Sequence, residues 1–179
     1  EDVKKRFRRA LIIGRRFRLV HAIFGREVIE VSTFRAAQVD AERTEHGRVL
    51  RDNVFGTQAE DAQRRDFTIN ALYYDPVGDR IVDYHNGVGD LRARTLRMIG
   101  DPAERYREDP VRMLRTARFA AKTGFTIDGP SRTPIRELAG LLGHVPAARL
   151  FDEMLKLLTT GHAMEGVRQL RLEGLHHEI

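Results

Sequence analysis

The chain has 179 residues, with 31 Lys and Arg against 26 Asp and Glu, a net charge of +5, no cysteine and 41% hydrophobic residues. That length and composition suit one domain, or one and part of another, with a buried core, and they exclude a disordered chain. No apolar run approaches the roughly 18 residues of a membrane span, no signal-peptide segment opens the chain, and the lack of cysteine removes disulfides and thiolate sites and fits a reducing, cytoplasmic setting.

The positive balance fits a polyanionic partner, and without a membrane-length apolar run no membrane partner is expected. Glu1 to Arg9 is a charged amphipathic run without a starting Met or a preceding strand, so the chain reads as an excerpt. Arg15 to Ile23 and Glu27 to Arg35 are rich in β-branched and aromatic residues around the compact Phe24-Gly25-Arg26 segment, which predicts a β-hairpin. Ala36 to Asp52 is polar without a period and predicts a mobile loop. Asp66 to Tyr74 predicts a short helix, and Arg80 to Tyr84 and Thr95 to Ile99 predict strands around a turn at Asn86-Gly87. The period then becomes helical over Asp109 to Thr123, Thr133 to Leu142, Ala147 to Thr160 and Ala163 to Leu170. The expected architecture is an α/β portion to residue 97, followed by an all-helical portion over 98–179.

Three groups of residues carry chemistry. In Gln63-Arg64-Arg65-Asp66-Phe67-Thr68-Ile69-Asn70, two arginines suit phosphate clamping, and Asp66 suits a helix cap or a ribose hydroxyl. Asn70, four residues on, shares the Asp66 face; the plainer alternative is a capped helix with solvated arginines. In the second group, Asp109 and Pro110 suit a helix start, Glu108 pairs with Arg112 at i+4, and Arg112, Arg115, Arg118 and Lys122 crowd one arc of roughly 120° opposite an apolar face. Such an arc is either solvated or met by a polyanion, and Asp109 with Arg112 supplies the acceptor and forked donor that read a base edge. Glu30, between Ile29 and Val31 in a predicted strand, either points to solvent or supports a metal.

RRDFTINALYYDP, the Gly89-Asp90-Leu91 turn and REDPVRMLRTARFAAKTGFTID together resemble the successive nucleotide-binding motifs of the class II nucleotidyltransferases, the bacterial poly(A) polymerases and CCA-adding enzymes. Within that group, Leu11 to His21 resembles the poly(A) polymerase signature. The resemblance implies an α+β fold, with a partial polymerase-β-like nucleotidyltransferase head over 1–97 and a helical neck that binds nucleotide and RNA over 98–179. It implies template-independent transfer of AMP from ATP to RNA 3′ ends with Mg²⁺. Asp66 lies at the nucleotide sugar, Arg64 and Arg65 near the phosphates, and Glu30 as a supporting catalytic acid. Asp109 and Arg112 select the base, Asn70 adds a second hydrogen bond to the ligand that Asp66 holds, Arg115 and Arg118 complete the pocket or meet RNA backbone, and Arg15, Arg16 and Lys122 meet RNA. The family's Gly-Gly turn and metal-holding Asp-x-Asp pair do not occur here, so no metal ligand is assigned and the fragment is expected to be inactive alone. A CCA-adding enzyme is the alternative, as is a non-catalytic RNA-binding module if the chain natively begins at Glu1.

Overall fold

The computed structural model of the chain describes residues 2–14, 19–36 and 55–179. They form two compact units, Glu1–Arg64 and Arg65–Ile179. The predicted loop over Ala36 to Asp52 lies almost wholly outside the described residues, as do Arg15 and Arg16.

The first unit opens with a short helix, α1 (Asp2–Arg6), and a three-stranded antiparallel sheet in the order β1 (Ala10–Ile13), β2 (Leu19–Phe24), β3 (Glu27–Val31). Alternation along β2 buries Val20 and Ala22 on one face. The predicted hairpin is present. Gly25, at φ +62°, takes the first position of its two-residue loop, a left-handed conformation that glycine adopts without Cβ strain. β1 pairs with β2 ahead of it, so the hairpin gains a strand the sequence reading did not place. A further helix, α2 (Gln58–Gln63), starts at a capping box: Thr57 N donates to Glu60 Oε2 at 2.7 Å, and Glu60 N donates to Thr57 Oγ1 at 3.3 Å.

The second unit begins differently from expectation. Asp66 to Tyr74 is not a helix: a single 3₁₀ turn at Thr68–Asn70 leads into β4 (Leu72–Asp75), which pairs with β5 (Arg80–Asp83). Asp66 takes up the first local donors with its side chain, and Thr68 N and Ile99 N tie the segment to residues 97–99, so tertiary pairing ends the turn early. Asn86-Gly87 is likewise no hairpin turn. Asp83 accepts the backbone N–H groups of His85, Gly87 and Val88, which directs the chain into α3 (Gly87–Arg92). A Cβ on Gly87 would stand 2.3 Å from the Thr68 carbonyl oxygen, a close approach open to glycine alone. β6 (Thr95–Leu96) then pairs in parallel with β7 (Thr126–Ile127), so the portion after residue 97 is not purely helical.

Helices α4 (Pro102–Glu108), α5 (Val111–Thr123), α6 (Gly129–Leu138), α7 (Ala147–Thr159) and α8 (Ala163–Leu172) complete the unit. α4 was not expected; it starts where Asp101 Oδ1 accepts Glu104 N at 2.9 Å with Pro102 at its first position. α5 runs through the centre, burying Met113, Leu114, Ala117 and Ala120 against α7 and α8, and ends at Gly124 with φ +67°. The α+β class expected from the sequence is the one observed.

Tyr106 is fully buried in this core, donating from Oη to the Ser131 carbonyl at 2.8 Å with Thr116 Oγ1 at 3.2 Å. Burial pushes its phenol up to about 12. Folding therefore loses stability as the pH rises through the range from about 10, where the unfolded phenol ionises, to 12. Tyr106→Phe should cost about 0.5–1.5 kcal/mol at neutral pH, by losing a buried hydrogen bond to the Ser131 carbonyl, and remove that alkaline slope. Denaturant unfolding across pH checks both; a variant with an unchanged alkaline slope contradicts the assignment.

Candidate nucleotide site

Asp66 sits at the start of the second unit with its side chain 10% exposed. Oδ1 accepts Phe67 N at 2.9 Å and Asn70 Nδ2 at 3.1 Å, while Oδ2 accepts Arg115 Nε at 3.0 Å and Arg115 Nη2. It caps no helix, since the 3₁₀ turn begins at Phe67 without a side-chain cap. Burial raises its carboxyl, but the charge of Arg115 and the hydrogen bonds from Arg115, Asn70 and Phe67 outweigh that and hold it below the usual carboxylate range. Asp66, Asn70 and Arg115, separated by up to 49 residues, are thus brought into one cluster.

A second cluster lies where α4 passes into α5. Arg112 Nη1 donates to Glu108 Oε2 and to the Arg105 carbonyl, both at 2.8 Å, confirming the i+4 pair. Glu108 also accepts Arg105 Nη1 at 3.0 Å, and Arg105 Nη2 donates to the Arg65 carbonyl at 2.8 Å. Asp109 is not the cap of α5: Pro110 holds that position without a side-chain bond. The residue before proline is pushed to an extended backbone, here φ −148°, ψ 93°, so Asp109 closes α4 instead. Its two carboxylate oxygens accept Arg149 Nη2 at 3.0 Å each.

The arc of cations on α5 is not simply solvated. Arg118 is 9% exposed, and its Nε donates at 3.0 Å to Glu153 of α7, which also meets Lys156 Nζ at 2.8 Å and Arg115 Nη1 at 3.7 Å. Only Lys122 of the arc's later members is exposed. Arg65 places its guanidinium 5.8 Å from the Tyr73 ring centroid. In the first unit, Arg64 donates Nε at 2.9 Å and Nη2 to the buried Asp61. Glu30 is 64% exposed and meets His21 across the sheet at 3.1 Å. Sequence reading missed Arg105, Arg149 and Glu153; the last two stand four apart on α7, a spacing that marks a shared face.

Among the described residues no group of three or more His, Asp or Glu side chains could hold a metal ion. The acids of the two clusters are engaged by arginines, so they do not fit a magnesium site. Likewise, no described helix is long and apolar enough to cross a membrane.

The sequence model described as "Poly A polymerase head domain" matches residues 1–97. The chain belongs to this family. The model described as "Probable RNA and SrmB- binding site of polymerase A" matches residues 124–179. This poly(A) polymerase family member is 52% identical to the Poly(A) polymerase I of Haemophilus influenzae, over 100% of the chain and 41% of that protein. It is 34% identical to the CCA-adding enzyme of Bacillus licheniformis, over 100% of the chain and 44% of that enzyme. Its fold matches the crystal structure of the Bacillus stearothermophilus CCA-adding enzyme in complex with CTP, with a TM-score of 0.80 and 31% identity over 97% of the chain and 41% of that structure. The family resemblance carried by the spaced motifs is borne out, and the chain spans less than half the length of these relatives.

Proposed function

We propose that this chain supplies the nucleotide- and RNA-positioning parts of an enzyme that transfers AMP from ATP to RNA 3′ ends without a template. The observation that carries this reading is the greater identity to poly(A) polymerases than to CCA-adding enzymes along the whole chain. The reaction joins the RNA 3′-oxygen to the α-phosphorus of ATP and releases pyrophosphate. Asp66 accepts a ribose hydroxyl in place of the Asn70 amide, which turns to the same sugar, Arg64 and Arg65 neutralise phosphate charge, and Asp109 with Arg112 reads the base edge. Arg115 holds Asp66, as Asn70 does before the nucleotide enters, and Arg118 holds α7 to α5 beside them. Glu30 is the supporting acid, and Arg15 and Arg16 meet RNA. Mg²⁺ is held by acids other than those described, in a cytoplasmic enzyme whose head spans 1–97 and whose neck spans 98–179.

The test is to supply a full-length polymerase carrying this chain with an RNA primer and all four nucleotides. Long homopolymeric A tails are expected. Efficient CTP incorporation that stops after a few residues would instead support the CCA-adding reading, which the likeness to the CTP-bound structure keeps in view. Lys122, exposed in the last turn of α5, should meet RNA phosphate. Lys122→Ala is expected to weaken RNA binding equally across sequences and to lower the salt slope by about one unit. An unchanged slope in binding titrations over a range of salt would return Lys122 to a solvated role.

A further inference from the structure

We propose that Arg149 is a positioning residue that sets base selection by fixing the Asp109 carboxylate, an inference that rests on the reading of Asp109 and Arg112 as the base-contacting pair. The two members of that pair are held in different ways. Arg112 is fixed from its own neighbourhood, by Glu108 one turn before it and by the Arg105 carbonyl. Asp109 has its backbone fixed, since its N–H reaches the Arg105 carbonyl and its own carbonyl accepts Arg112 N. Its side chain caps neither helix, and among the described residues Arg149 is the partner its carboxylate finds.

Arg149 comes from a rigid place. It lies in the first turn of α7, and Glu153, one turn later, anchors that helix to Arg118 and Arg115 of α5. The register of α7 against α5 is therefore set by a buried ion cluster, and Arg149 reaches Asp109 from that fixed base. Its Nη2 stands 3.0 Å from each carboxylate oxygen and so holds the group in place at the end of α4. A carboxylate offers about four lone-pair directions; one nitrogen between its oxygens occupies the inner ones and leaves the outer ones for an N–H donor on a base. A base edge is discriminated only when acceptor and donor stand at a set separation. With Arg112 fixed and Asp109 free to turn, that separation is lost.

Arg149 is 53% exposed, and exposed ion pairs contribute little to stability, so removing it leaves the fold intact. In the full-length polymerase, Arg149→Ala should raise KM for ATP and reduce the preference for ATP over CTP by about tenfold, with a smaller change in kcat and an unchanged melting temperature. Arg149→Lys, which keeps a single cation for the two oxygens, should retain more of the preference than Arg149→Ala. Asp109→Asn run in parallel tells the two readings apart. If Asp109→Asn collapses the preference while Arg149→Ala keeps wild-type KM and preference, the positioning role is overturned and the base contact stands. A lower KM for ATP in Arg149→Ala would overturn it as well, by showing that Arg149 competes with the base. If Asp109→Asn leaves the preference unchanged, the base contact itself fails and this inference falls with it.

Discussion

Glu153→Ala is expected to destabilise the chain by about 3–5 kcal/mol, the cost of leaving a buried charge without its counter-ion. Glu153 is 5% exposed and Arg118 9%, so the substitution leaves the Arg118 charge in a buried position without its counter-ion. Arg115, held at 3.7 Å, and Lys156, at 2.8 Å, lose the same anion. Burial raises the Glu153 carboxyl, but the Lys156 hydrogen bond and the charges of Arg118, Lys156 and Arg115 outweigh it and hold the group below the usual glutamate range. The stability this contributes is therefore complete above about pH 4.3, the unfolded value, and is lost as the pH falls through the depressed folded value. Glu153→Gln, which keeps the shape, should remove that acid slope. Denaturant unfolding at neutral and acidic pH measures both effects; a loss under about 1 kcal/mol for Glu153→Ala would show that the cluster is solvated.

The second large effect is expected at Asp66. Asp66→Ala should lower turnover of the full-length polymerase by tenfold or more, equivalent to at least about 1.4 kcal/mol of transition-state stabilisation. It should also destabilise the chain by roughly 1.5–3 kcal/mol, because charge-assisted bonds from Arg115 are lost together with those from Asn70 and Phe67. Since the Asp66 carboxyl is held below its ordinary range, this contribution too is present above the unfolded value and disappears as the pH falls through the folded one. Activity is to be assayed below the variant's melting temperature. A destabilised variant with full turnover would make Asp66 a structural residue alone.

Much of the fold was legible because its signals are local. The β2–β3 hairpin reads from β-branched runs around Gly25, and α5 from an apolar stripe that ends at Gly124. The capping box at Thr57 and Glu60 and the Asp101-Pro102 start were equally local signals, and they mark α2 and α4, which the reading passed over. The mispaired strands failed for a different reason. Asn86-Gly87 has the composition of a hairpin turn, yet three hydrogen bonds to Asp83 and the crowding of Gly87 on Thr68 decide for a helix start. A parallel pairing of residues 95–96 with 126–127 leaves no mark within either segment.

The sequence by itself determined helices α5, α7 and α8 of the second unit, the Glu108–Arg112 pair and the family, because helical periods, i+4 spacings and ordered motifs are properties of neighbouring residues. Only the tertiary structure decided what the cations of α5 do. Arg115 and Arg118 have no acid within reach along their own helix, and the acids that hold them lie 49 and 35 residues away. Charge attraction acts through space, and spacing along one helix reports only the partners that helix itself carries.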